Sequence, residues 1–204
     1  MQITITEALS ELKLLKSRIE KGLNTAVFAT TAKANTAPVG YSSVDTFNKK
    51  SKASYQSINE LIEQRNKIKA YIVKSNALTN IVIADKTYTV AEAIERKGSI
   101  QFEKDLLRLM TNQLANANSI AERQNQVNQN KLDSLVETTL GKEKSDLNAI
   151  KPLSDNFWAV NKIDVIDPIG LQEEIEKLSN CIDEFLSAVD TKLTISNSVT
   201  TIEV

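Results

Sequence analysis

The chain reads as a mainly α-helical protein, a four-helix bundle made of two tandem αα-hairpins with a small β-sheet formed by short strands at the helix ends. Three observations point there. Aromatic residues are 5% of the 204, with 5 Gly and 3 Pro, a composition that suits helices better than a glycine-punctuated sandwich or dinucleotide fold. Apolar residues fall in stripes of helical period. Two phrases occur twice: T-I-T-E-A-L from Thr4 returns as T-V-A-E-A-I from Thr89, and S-N-A-L-T-N-I-V-I from Ser75 returns as the closing S-N-S-V-T-T-I-E-V from Ser196. Start phrases and end phrases together parse one domain, residues 1–204, into an internal pseudo-repeat, 1–84 and 86–204.

Each element has a local reason. A β-prone run at about 2–5 leads into a first helix at about 5–23. Thr4 and Glu7 form a capping box there, the Thr hydroxyl accepting from the N3 amide while the Glu reaches back to the N-cap amide. This helix carries Ala8, Leu9, Leu12, Leu15, Ile19 and Leu23, with Gly22 near its exit. A connection at about 24–52, rich in Ala, Thr and Ser, lacks helical period; loops of that length are usually functional or disordered. A second helix, about 54–76, carries Ile58, Leu61, Ile62, Ile68 and Ile72, and a strand follows at about 79–83. Asn76 suits a left-handed helix exit, as does Asn197 at the second occurrence.

Asp85-Lys86 then marks a tight hairpin turn into a strand at about 87–90. A third helix starts at about 90, with Thr89 and Glu92 as its capping box. Ile94, Phe102, Leu106, Leu109 and Leu114 are its expected core stripe, and Gly98 weakens it by about 1 kcal/mol relative to Ala. A second connection is expected at about 115–167. Within its first part Leu106, Gln113, Ile120 and Val127 lie seven apart. That spacing suits either a helical extension docking onto another chain through Ile120 and Val127, or a solvated arm. Phe157-Trp158 either anchors a partner or folds back onto the bundle. The last helix, about 168–196, begins at Asp167-Pro168 and carries Leu171, Ile175, Leu178, Ile182, Phe185, Val189 and Leu193 on one face. Its tail, 199–204, offers Val199 and Ile202 as an edge strand for a neighbour's sheet.

Chemistry is sparse. Histidine is absent and Cys181 is the single cysteine, which removes His-based acid–base catalysis, His or Cys zinc sites and an intramolecular disulfide. No catalytic, cofactor-binding or metal-binding residue and no cofactor is expected. Gly141-Lys142-Glu143 lacks the spacing of a phosphate loop. Asp164 with Asp167, and Glu173, Glu174 and Glu176, read as a helix cap and a solvated face. Cys181 flanks the last apolar stripe and reads as a core thiol. Lys49, Lys50 and Lys52, near Tyr41, Phe47 and Tyr55, are the candidate nucleic-acid contacts. The formal net charge of −1 favours neither nucleic acid nor an anionic membrane as partner. No basic start with an apolar run and no ~18-residue apolar span is present, so a cytoplasmic or virion location is expected.

I-T-E-A-L near the start, T-Y-T-V-A-E-A-I-E-R-K at the centre, I-D-V-I-D-P-I-G-L-Q-E-E-I and the terminal D-T-K-L-T-I-S-N-S-V-T resemble the septicolysin-like family of small helical bacterial and phage proteins. The resemblance implies a compact, self-associating helical protein without established enzymatic chemistry. The expected function is a non-enzymatic structural or assembly protein acting through protein–protein contacts, as a homo-oligomer or within a larger assembly. A phage or prophage virion component or assembly accessory fits that description. The alternatives are a cytosolic nucleic-acid-binding accessory and a membrane-active, cytolysin-like protein.

Overall fold

The computed structural model describes residues 2–141 and 147–203. Lys142 and Glu143 of the sequence weighed as a phosphate loop, and Val204 at the end of the expected last strand, lie outside them. The elements run β1 (Gln2–Thr4), α1 (Ile5–Thr25), α2 (Val44–Leu78), β2 (Asn80–Ile83), β3 (Lys86–Thr89), α3 (Val90–Leu140), α4 (Leu147–Asn161), α5 (Leu171–Val199) and β4 (Thr201–Glu203). The protein is mainly helical. Its strands form two separate antiparallel two-stranded ribbons, β1 with β4 and β2 with β3, rather than one small sheet. Each strand has only three or four residues, and the helices that follow or precede it turn the chain away before a third partner can join.

The chain divides into two compact units: Met1–Gly98 with Glu184–Val204, and Ser99–Asp183. In the first unit both capping boxes are formed. The Thr4 amide donates to the Glu7 carboxylate at 2.7 Å and the Glu7 amide to the Thr4 hydroxyl at 3.2 Å; the matching distances at Thr89 and Glu92 are 2.7 and 3.1 Å. The two ribbons share one register. Ile3 faces Ile202 and Thr4 faces Thr201; Tyr88 faces Ile81 and Thr89 faces Asn80. The Ile5 amide donates to the Thr200 carbonyl at 2.9 Å, and the Val90 amide to the Thr79 carbonyl at 2.8 Å. So the start of each phrase pair binds the end of the other.

These bonds also hold Glu7 and Glu92 below the ordinary carboxylate range, chiefly through the backbone amides of Thr4 and Thr89 and then their hydroxyls. A depressed folded pKa contributes stability above the unfolded value and loses it as pH falls through the folded one. Thermal stability should therefore drop as pH falls below about 4. The Thr4→Ala/Thr89→Ala variant should lose about 1 kcal/mol per cap at neutral pH, with a smaller gap in acid, read by thermal melts across pH.

The core of this unit gathers Ile5, Ala8 and Leu15 from α1, Ile68 and Ile72 from α2 and Ile202 from β4, with Ile3, Leu12, Leu61 and Tyr71 against it. Each such side chain contributes about 1.5–3 kcal/mol before entropy. At the other ribbon Tyr88 and Phe185 meet edge-to-face at 5.8 Å. The Arg96 guanidinium lies 4.5 Å from the Phe185 ring centre and donates to the Tyr88 hydroxyl.

Several local expectations change. Helices α2 and α5 end without a left-handed residue: Asn76 and Asn197 stay helical, and Thr79, at φ −86° and ψ 124°, passes straight into β2. The chain needs no reversal there because the strand continues outward. The reversal comes at Ala84 and Asp85, with φ of 48° and 59°, a two-residue hairpin turn one position earlier than expected. Ser43 caps α2 by accepting from the Thr46 amide at 3.1 Å, so nine residues read as connection, 44–52, are helix. Asp167 does cap α5, its carboxylate accepting from the Gly170 amide at 3.0 Å and from the Leu171 amide, but the helix begins three residues past Pro168.

Candidate functional site

The largest departure from expectation is α3, and it creates the candidate site. This helix runs 51 residues, Val90–Leu140, through Gly98 and through about the first half of the region read as a connection. A Cβ at Gly98 would meet nothing within 4 Å, so the glycine costs propensity but serves no close approach. The rows Ile100, Leu107, Met110, Leu114, Ala121 and Leu132 are buried or half-buried. At about 100° per residue they share one face.

Phe102, Leu106 and Leu109, expected to face the core, point elsewhere. They are 78%, 50% and 53% exposed, on a face about a third of a turn round from the buried row. Ile120 and Val127 continue the same line at 37% and 48% exposure. The line reads Phe102, Leu106, Leu109, Gln113, Asn116, Ile120, Arg123, Val127, alternating spacings of four and three. That is the seam of a coiled coil, about 38 Å long at 1.5 Å per residue, and apolar side chains in water along it lack their natural environment.

Its far end opens on a groove of about 450 Å³ in the same unit, lined by Arg123, Val127, Lys131, Val160 and Ile163. Val160 is 85% exposed. Two asparagines hold the far wall of the groove, the segment at Asn161 and Ile163, in place. Asn125 clamps the backbone of Ile163, donating to its carbonyl at 2.8 Å and accepting from its amide at 2.9 Å; Asn128 donates to the Asn161 carbonyl at 2.6 Å. The Asn- and Gln-rich run thus ties down the segment after α4. Asn125→Ala should cost about 1–2 kcal/mol and speed amide exchange at Ile163, while exchange at Leu15 in the other unit stays unchanged.

The remaining candidates are placed as follows. Phe157 and Trp158 lie in α4, half-buried, and meet edge-to-face at 5.7 Å. Val199 is 71% exposed at the end of α5, whereas Ile202 is 7% exposed. Ile202 is therefore no partner contact: its strand already pairs with β1 and its side chain fills the core. Lys49 is bound to Asp45 at 2.8 Å, Lys50 lies 5.6 Å from the Tyr41 ring centre, and Lys52 is exposed. Asp164 pairs with Lys162 at 2.6 Å, Lys177 bonds Glu174 at 2.8 Å, and Cys181 is half-buried. Among the described residues no group of three His, Cys, Asp or Glu stands together to hold a metal ion. No helix among them is long and apolar enough to cross a membrane. Comparison with protein-family models, with curated proteins and with solved structures gives no match.

Proposed function

We propose that the chain is a non-enzymatic structural or assembly protein that acts through protein–protein contacts, as a homo-oligomer or within a larger assembly. The exposed seam on α3 carries this reading. Five large apolar side chains at coiled-coil spacing gain by desolvation against a second helix. The polar seam members Gln113, Asn116 and Arg123 fit a role in setting register and partner number. The virion setting, a phage or prophage component or assembly accessory, rests on the likeness of the terminal and central motifs to septicolysin-like proteins.

The same reading takes residues 1–84 and 86–204 as two copies of one helical hairpin within a four-helix bundle. The shared register of the two ribbons and the paired capping boxes support the duplication.

Multi-angle light scattering tests the association. The mass should rise with concentration above the 22.6 kDa of one chain; a mass that stays there at the highest attainable concentration ends the proposal. Mass spectrometry of purified particles tests the virion setting.

A further inference from the structure

We propose that the cleft between α1 and α2 binds the phosphodiester backbone of a single-stranded nucleic acid. Arg18, Lys21 and Lys50 would hold phosphates and Tyr55 would stack on a base. The inference is independent of the assembly reading.

The cleft has a volume of about 460 Å³ and lies wholly within the first unit. Arg18 and Lys21 are three residues apart on α1 and so share a face. Lys50 comes from α2, and the hydroxyls of Ser54 and Ser57 stand on the same wall. Among the described residues no carboxylate lines the cleft, and none of the three cations is in an ion pair. Their neighbours differ: Lys49 is neutralised by Asp45 and Lys16 by Glu20. The cations converge because the helices approach closely. A Cβ on Gly22 would stand 3.0 Å from Ile58 Cγ1, so glycine at this point lets side chains on both helices overhang one space.

The net charge of −1 conceals how charge is distributed. Residues 1–84 carry twelve Lys and Arg against six Asp and Glu, and residues 85–204 carry thirteen against twenty. The basic half is the one that builds the cleft. Tyr55 stands on α2 about a third of a turn round from the cleft-lining row of Lys50, Ser54, Ser57 and Leu61; it is 61% exposed, and Phe28, 48% exposed, meets it edge-to-face at 6.3 Å. Cations that track a backbone beside an exposed aromatic face are the parts from which single-strand sites are made. A folded acidic peptide would use the cations and leave the aromatic face idle.

The experiment uses the full chain and a fluorescently labelled oligothymidylate, followed by anisotropy at 50 and 200 mM salt. Three phosphate contacts predict that affinity falls about 20-fold over that range, from a slope of about −0.7 per contact for single strands. Arg18→Gln/Lys50→Gln should weaken binding at 50 mM and cut the salt effect to about threefold. Tyr55→Ala should weaken binding about tenfold without changing the salt effect. Lys74→Gln, at the far end of α2, should bind as the unaltered chain does. Circular dichroism melts establish that each variant is folded. Absence of binding at 50 mM, or unchanged affinity in the double variant, overturns the proposal. Equal binding of polyglutamate, with no effect of Tyr55→Ala, overturns it in favour of an acidic peptide site.

Discussion

Replacing Leu15 by alanine is expected to destabilise the protein by about 2–5 kcal/mol. Leu15 is fully buried and belongs to the cluster of Ile5, Ala8, Ile68, Ile72 and Ile202. Its neighbours are held by two different kinds of element. Ile68 and Ile72 sit on α2, while Ile202 is fixed by the β1–β4 ribbon. Collapse into the vacated volume would have to move a helix against a ribbon, so most of the cavity should persist and the cost should fall in the upper part of the range. Urea titration reads this as a lower midpoint with an unchanged slope. A loss below about 1 kcal/mol would show that Leu15 has no such shell.

The second large effect concerns α3. Phe102→Glu/Leu109→Glu is expected to hold the protein at its monomer mass under conditions where the unaltered chain associates. Placing two carboxylates on the seam, with a second helix required to bury them, costs far more than the lost apolar contact. The same double variant should change folding stability by no more than about 0.5 kcal/mol per site, as expected of exposed positions. The two readouts separate the possibilities. Retained association removes the seam as an interface. A loss of several kcal/mol in stability would instead return Phe102 and Leu109 to the core, where periodicity alone had put them.

That contrast shows where sequence reasoning succeeds. The capping boxes at Thr4–Glu7 and Thr89–Glu92 are four-residue devices whose partners lie within one turn, so the helix starts could be read directly. The α5 stripe was equally clear: Leu171, Ile175, Leu178, Ile182, Phe185, Val189 and Leu193 are all buried or half-buried. On α3 the same kind of periodicity misled. Two apolar rows run along one helix, Ile100–Leu107–Leu114 and Phe102–Leu106–Leu109, and spacing cannot say which one meets the chain's own core. The start of α2 at Ser43 is not legible from periodicity, because a Ser-x-x-Thr cap followed by lysines carries no apolar stripe.

The candidate cleft was half visible. Sequence proximity groups Lys50 with Lys49 and Lys52, whereas the cleft groups it with Arg18 and Lys21. Lysines adjacent in a chain need not share a cleft, and cations on two helices do so only when something such as Gly22 brings the helices together.

Amino-acid order by itself determined the starts of α1 and α3, the recurring entry and exit phrases and the absence of histidine, because each depends on residues a turn or two apart or on composition. Tertiary structure decided which strand pairs with which, which face of α3 stays in water and which cations meet over one cleft. Those outcomes depend on contacts between residues as distant as Ile3 and Ile202. The free energy of such contacts belongs to the assembled core and not to any local segment.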